Sequence, residues 1–261
     1  TYFIEKAPDS ISRARFSAMR ERSVGVGALG FHAFLQKNNV AFESAIAKSL
    51  NMRMFKHIRS KLDEANIALA IERGSCPDAA DYGVTKRCSH VMAIAPNASS
   101  SIIMGNTSPS TEPYAANAYR QDTSSGAYLT KNKFLDRIIK QESLDKSESW
   151  YDDTWAKIIA DDGSVQNLEW MDQYTKDVFK TAQEIDQRWI IEHAADRQEN
   201  VDQAISTNVF CKPDVNVKYL HAVHLLAWKR GLKSLYYLRS SKLRKADKVG
   251  QAIVRNRIED E

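Results

Sequence analysis

Short apolar runs alternate along this chain with long amphipathic stretches, and that alternation constrains the fold more than any other feature. The first run, Ser23-Val24-Gly25-Val26-Gly27-Ala28-Leu29-Gly30, mixes β-branched residues with glycine and leads into a helical pattern at Phe31–Gln36. After the Asn38-Asn39 turn, Ala47, Leu50, Met54, Ile58, Leu62, Ala65 and Leu69 recur at steps of three and four, the spacing of one helix face. Gly74 and Pro77 supply its stop signal. His90-Val91-Met92-Ala93-Ile94-Ala95 reads as a buried strand that Pro96 ends, and Ala204–Phe210 and Leu232–Arg239 read as two more. Helices are expected around 132–142, around 151–160 and over Tyr219–Lys229, the last closed by Gly231. Met171, Tyr174, Val178, Ala182, Ile185 and Trp189 form the stripe of a further helix running to about Arg197. β-runs separated by amphipathic helices build α/β folds. Residues 1–22 read as a polar lead-in. The stretch from Asn97 to Ser125, rich in Ser, Thr, Asn, Pro and Gly, is long for a structureless loop in a compact domain.

Composition excludes several classes. A 261-residue chain that is 43% hydrophobic and 27% charged is neither disordered nor fibrous. No apolar run reaches the ~18–20 residues of a membrane span. Thr1-Tyr2-Phe3-Ile4-Glu5-Lys6 lacks the pattern of a secretory signal. Cys76, Cys88 and Cys211 are odd in number and lack zinc-site spacing, which suits the reducing cytoplasm. The net charge is +4, with the excess at one end: between Lys229 and Arg257, basic positions 229, 230, 233, 239, 242, 244, 245, 248, 255 and 257 face one acid, Asp247. A solvated, mobile segment over 241–261 and a tail that follows a phosphate backbone both fit that pattern.

Four groups of residues are candidates for chemistry. Gly25-Val26-Gly27-Ala28-Leu29-Gly30 fits GxGxxG, but its glycines fall where the strand itself should be, and glycine in a strand marks close approach of another backbone. Ala95-Pro96-Asn97-Ala98-Ser99-Ser100-Ser101 places small hydroxyl residues where a strand stops. It can be a phosphate cradle of backbone N–H and hydroxyl groups, or a helix cap with spare serines. Tyr236-Tyr237 lies within a run read as a strand, where neighbours face opposite ways, so packing and a paired electron-and-proton relay compete there. His221 and His224 share a helix face but lack an evident third metal ligand.

Six stretches in order carry a family resemblance: Arg20-Glu21-Arg22-Ser23-Val24-Gly25-Val26-Gly27, Glu72-Arg73-Gly74-Ser75-Cys76-Pro77, Ala95-Pro96-Asn97-Ala98-Ser99-Ser100, Thr111-Glu112-Pro113, Asp202-Gln203-Ala204-Ile205-Ser206 and Lys233-Ser234-Leu235-Tyr236-Tyr237-Leu238-Arg239. Together they resemble the C-terminal half of the large catalytic subunit of class I, aerobic, ribonucleotide reductase. The resemblance implies half of a ten-stranded α/β barrel over residues 1–240. It also implies reduction of ribonucleoside diphosphates by radical removal of the ribose 3′ hydrogen and dithiol reduction at 2′. On it, Asn97, Ala98, Ser99 and Ser100, with Ser101 close by, match the loop that binds the substrate diphosphate, and Tyr236 and Tyr237 match the tyrosines that relay the radical.

The departures set further expectations. The thiyl-radical cysteine and the reducing cysteine pair belong to sequence upstream of Thr1, and Cys76, Cys88 and Cys211 match none of them. The resemblance therefore implies an N-terminal half as partner: the chain is read as one polypeptide of a naturally split large subunit, as in the interrupted large-subunit genes of some T4-like bacteriophages, with an excised fragment of a large subunit as the alternative. It further implies a radical-generating di-iron small subunit, a thioredoxin- or glutaredoxin-type reductant and a dimeric large subunit. This chain itself is expected to bind no cofactor, no membrane and no nucleic acid. The alternative is a non-catalytic nucleotide- or nucleic-acid-binding protein that uses the serine loop and the basic segment.

Overall fold

The computed structural model describes residues 2–123 and 126–240; the basic segment 241–261 lies outside them. In chain order the elements are α1 (Tyr2–Glu5), α2 (Ser12–Glu21), α3 (Phe31–Lys37), α4 (Ala45–Arg73), α5 (Pro77–Asp81), α6 (Ala98–Ile103), β1 (Ala118–Thr123), β2 (Gly126–Lys131), α7 (Lys133–Ser143), α8 (Trp150–Ala160), α9 (Gln173–Val178), α10 (Gln187–Gln198), β3 (Val209–Cys211), α11 (Val217–Lys229) and β4 (Leu238–Ser240). Four extended segments stand side by side, parallel and in chain order. Val26 bridges Met92, Ile94 bridges Ile205, and β3 pairs with β4 from Val209 opposite Leu238 to Cys211 opposite Ser240. Helical connections between these segments make the arrangement α/β. The antiparallel hairpin β1–β2 is inserted between the second and third segments.

Local chemistry explains the main boundaries. Ser44 caps α4 by accepting the Ala47 N–H, and the helix runs without a break to Gly74, whose φ of 80° ends it. Pro77 then opens α5. A Cβ on Gly27 would stand 2.6 Å from the Ala93 carbonyl oxygen, so the glycine spacing of the first run serves close strand packing rather than a dinucleotide turn. Phe55 of α4 packs with Val91, Met92, Ile94, Val201 and Ile205, laying the long helix on the parallel segments. Val209 and Cys211 pack with Ile191 of α10 and with Val223 and Ala227 of α11.

Two sequence expectations are corrected. The stripe from Met171 to Trp189 belongs to two helices, α9 and α10. The Ala182 N–H leaves the helical pattern to donate to the Tyr114 carbonyl, and Asp186 caps α10 through the Arg188 N–H. Val178, Ala182 and Ile185 are all buried, so a buried turn presents the same apolar spacing as one long helix. Within the polar lead-in segment, α1, a 3-10 turn at Asp9–Ile11 and α2 form. The final strand starts at Leu238 rather than Leu232, which places Tyr236 and Tyr237 before it.

Candidate functional site

The serine loop leaves the C-terminal end of the second extended segment. Pro96 halts that segment, and Asn97 turns the chain with a left-handed φ of 53° to begin α6. The N–H groups of a helix's first turn precede its first internal bond, so those of Ala98, Ser99 and Ser100 are free of the helical ladder at its positive end. The three serines differ. Ser99 and Ser100 are exposed. Ser101 is buried, its hydroxyl donating to the Ala98 carbonyl at 2.7 Å and its N–H to the Asn97 carbonyl at 3.0 Å. Behind the loop, Thr107 N–H donates to the Ser101 carbonyl at 3.1 Å, and the Tyr119 hydroxyl donates to Asn106 Oδ1 at 2.8 Å.

Tyr236 and Tyr237 do not face opposite ways. Their ring centroids are 4.1 Å apart at an interplanar angle of 48°, and both side chains are about half exposed. The neighbouring Tyr237 phenol pushes the Tyr236 phenol above its usual range. The Arg239 guanidinium lies 5.1 Å from the Tyr237 ring centroid. Adjacent phenols in contact can exchange an electron and a proton without a conformational search.

One stretch of backbone joins the two groups. Ser206 N–H donates to the Ile94 carbonyl at 3.0 Å, two residues before Pro96, and Tyr236 N–H donates to the Thr207 carbonyl at 2.8 Å. The serine loop and the tyrosine pair therefore extend from segments that flank the same strand. The sequence singled out neither Asn208 nor a role for Glu112, yet Asn208 belongs to this strand and Glu112 lies against it. Asn208 Oδ1 accepts the Tyr237 N–H at 3.1 Å, and Asn208 gives two hydrogen bonds to the buried Glu112 carboxylate. Polar residues interrupting the apolar run 204–210 are the only signal that pointed there.

The other candidates stay apart from this region. Cys76 and Cys211 are buried, and burial pushes the Cys88 and Cys211 thiols up, away from the reactive thiolate. His221 and His224 are exposed, and His224 Nδ1 lies 2.8 Å from the Leu220 carbonyl of its own helix. Among the described residues, no three His, Cys, Asp or Glu side chains converge as a metal site, and no helix is long and apolar enough to cross a membrane.

Comparison with known proteins points one way. The family model described as "Ribonucleotide reductase, barrel domain" matches residues 2–86 and 78–238. The ribonucleoside-diphosphate reductase large subunit of Invertebrate iridescent virus 6 is 53% identical over 99% of this chain and 27% of its own length. The corresponding large subunit of Invertebrate iridescent virus 3 is 48% identical over 95% of this chain and 39% of its own length. Among solved structures, the Actinobacillus ureae class Id ribonucleotide reductase alpha subunit matches with a TM-score of 0.83 and 38% identity, over 92% of this chain and 44% of that one. The chain thus spans less than half the length of each of these relatives.

Proposed function

The chain belongs to the ribonucleotide reductase barrel-domain family, and on that premise we propose that it forms the C-terminal part of the catalytic barrel of a ribonucleoside-diphosphate reductase large subunit. The assembled enzyme reduces ribonucleoside diphosphates to deoxyribonucleotides for DNA synthesis. In this reading the backbone of Asn97 and Ala98, with Ser99 and Ser100, holds the substrate diphosphate, and Ser101 braces the loop from within. Tyr236 and Tyr237 relay the radical. The catalytic cysteines belong to the N-terminal half of the large subunit; the packed positions of Cys76 and Cys211 fit that division. A radical-generating di-iron small subunit and a thioredoxin- or glutaredoxin-type reductant complete a cytoplasmic enzyme whose large subunit dimerises.

The observation that carries the reading is the phenol pair in contact, held against the strand that also flanks the segment leading into the serine loop. The test is reconstitution. Residues 1–261 alone should form no deoxynucleotide, whereas addition of the N-terminal half and the small subunit should give turnover. Deoxynucleotide formation by this chain alone, or a mixture that assembles but stays inactive, would overturn it.

A further inference from the structure

The contact of the Tyr236 and Tyr237 rings has a specific backbone cause. In a regular parallel ladder one residue both donates to and accepts from the neighbouring strand, and the next residue points away. Here the two functions are divided: Tyr236 N–H donates to the Thr207 carbonyl at 2.8 Å, while the Tyr237 carbonyl accepts the Val209 N–H at 2.9 Å. Two residues thus stand opposite one, Asn208, which is the arrangement of a bulge. The shift leaves the Tyr237 N–H without a ladder carbonyl, and Asn208 Oδ1 takes it at 3.1 Å. A bulge re-aims side chains, and here it turns consecutive rings to the same side.

Glu112 decides which way the Asn208 amide points. Its Oε1 accepts the Asn208 backbone N–H at 2.9 Å, and its Oε2 accepts the side-chain Nδ2–H at 3.0 Å. An ionised carboxylate only accepts, so Nδ2 must face Glu112 and Oδ1 must face Tyr237. Glu112 is 5% exposed. Burial pushes its carboxyl up, and the Asn208 bonds together with the Arg239 and Arg197 charges oppose that push.

We propose that Glu112 and Asn208 are positioning residues for the tyrosine pair: Glu112 orients the Asn208 amide, and the amide oxygen holds the Tyr237 N–H in the bulge that brings the two phenols together. The structural part stands on the hydrogen bonds alone; its consequence for turnover rests on the relay reading above.

An exchange of the two functional groups tests this. Glu112→Gln leaves one acceptor oxygen for two Asn208 donors. Its NH2 group meets the Asn208 NH2 group, or turns that amide over so that Tyr237 N–H meets a donor, or meets the Asn208 backbone N–H and pushes on the bulge itself, so every arrangement sets donor against donor at the tether. In the double variant, Glu112→Gln with Asn208→Asp, one Asp oxygen accepts from Tyr237 N–H, the other accepts from the Gln amide, and every bond is restored. The chain is assembled with the N-terminal half and the small subunit. Hydrogen exchange at the Tyr237 amide is then read by fragmentation mass spectrometry beside steady-state kinetics. Glu112→Gln should speed exchange at Tyr237 about tenfold and lower kcat about tenfold, with KM moved less than about twofold. The double variant should recover both readouts to within about threefold of the parent. An unaltered Tyr237 amide in Glu112→Gln, or a double variant no better than the single at equal thermal stability, overturns the proposal. Exchange that follows the swap while kcat stays constant upholds the tether and overturns the relay reading instead.

Discussion

Arg59 Nη1 and Asp202 Oδ1 form an ion pair 2.6 Å long between α4 and the turn after α10, and both side chains are largely shielded from solvent. The other oxygen of the same carboxylate, Oδ2, accepts the backbone N–H groups of Val91 and Met92 at 2.8 and 3.0 Å. Asp202 thereby fastens the long helix to the segment that ends in the serine loop. Burial alone would raise its carboxyl, but the two N–H groups and Arg59 together hold it below the usual range. Asp202→Ala strands two backbone donors and leaves Arg59 with Asp63 as its remaining carboxylate partner, so a loss of roughly 2–4 kcal/mol is expected from the shift in urea midpoint. A depressed carboxyl stabilises the fold above the unfolded value of about 3.9 and ceases to do so as pH falls through its folded value. The difference between parent and variant should therefore shrink below about pH 4. A variant within about 0.5 kcal/mol of the parent at neutral pH would show that Asp202 is not the fastener.

Two buried histidines set a second pH dependence, of the opposite origin. The Phe42 carbonyl lies 2.9 Å from His193 Nε2 and can only accept, so Nε2 carries the proton. Tyr114 N–H donates to His32 Nδ1 at 2.9 Å, which fixes the other neutral ring. Burial, joined at His193 by the Arg197 charge, lowers both to about 3. Between about pH 6.5 and 3 the unfolded chain binds protons that the folded chain refuses, so stability falls with pH across that window. His193→Phe should flatten the slope by up to about 1.4 kcal/mol per pH unit in denaturation series taken from pH 6.5 to 4. Parallel slopes for parent and variant would rule out a neutral buried His193.

The parts legible in the sequence were those with a local signature. The 29-residue α4 announced itself through its apolar period and the glycine and proline that follow it. The order of β-runs and helices gave the α/β class because parallel segments need long connections. The serine loop was legible because Pro96 stops a buried run directly before it. The Asp202 fastening, the Asn208 tether and the split of the stripe at Ala182 were not legible. Each depends on a hydrogen bond between residues more than twenty apart, and no local pattern carries such a pairing. The tyrosine pair shows the limit most clearly: strand alternation sends neighbours apart, and only the bulge opposite Asn208 brings them together.

For the serine loop, the exposed Ser99 and Ser100 hydroxyls separate phosphate binding from capping. Charge-assisted hydrogen bonds to a diphosphate contribute roughly 1.5–3 kcal/mol each. Ser99→Ala combined with Ser100→Ala in the reconstituted enzyme should raise the substrate KM by about one to two orders of magnitude, with assembly unaffected. Ser101→Ala should act differently, lowering thermal stability, because its hydroxyl is bonded to the Ala98 carbonyl inside the turn. An unchanged KM in the double variant would return the loop to a plain helix cap.

The tyrosines allow the sharpest separation of chemistry from packing. Phenylalanine keeps the ring and nearly the volume of tyrosine but has no phenolic O–H to oxidise. Both side chains are half exposed, and the backbone bonds that hold them involve Thr207, Asn208 and Val209 rather than either hydroxyl. If the pair only packs, Tyr236→Phe or Tyr237→Phe removes at most one hydrogen bond, about 0.5–1.5 kcal/mol, and leaves turnover close to normal. If the pair relays a radical, either substitution breaks the chain of oxidisable groups. Folding, assembly and substrate binding then survive while kcat collapses and KM barely moves, the pattern of a step removed after binding. Rapid mixing with the small subunit should leave its radical undiminished by substrate in either variant. A Phe variant that retains more than about a tenth of the parent kcat would remove the relay assignment, since a tenfold change corresponds to only about 1.4 kcal/mol of barrier.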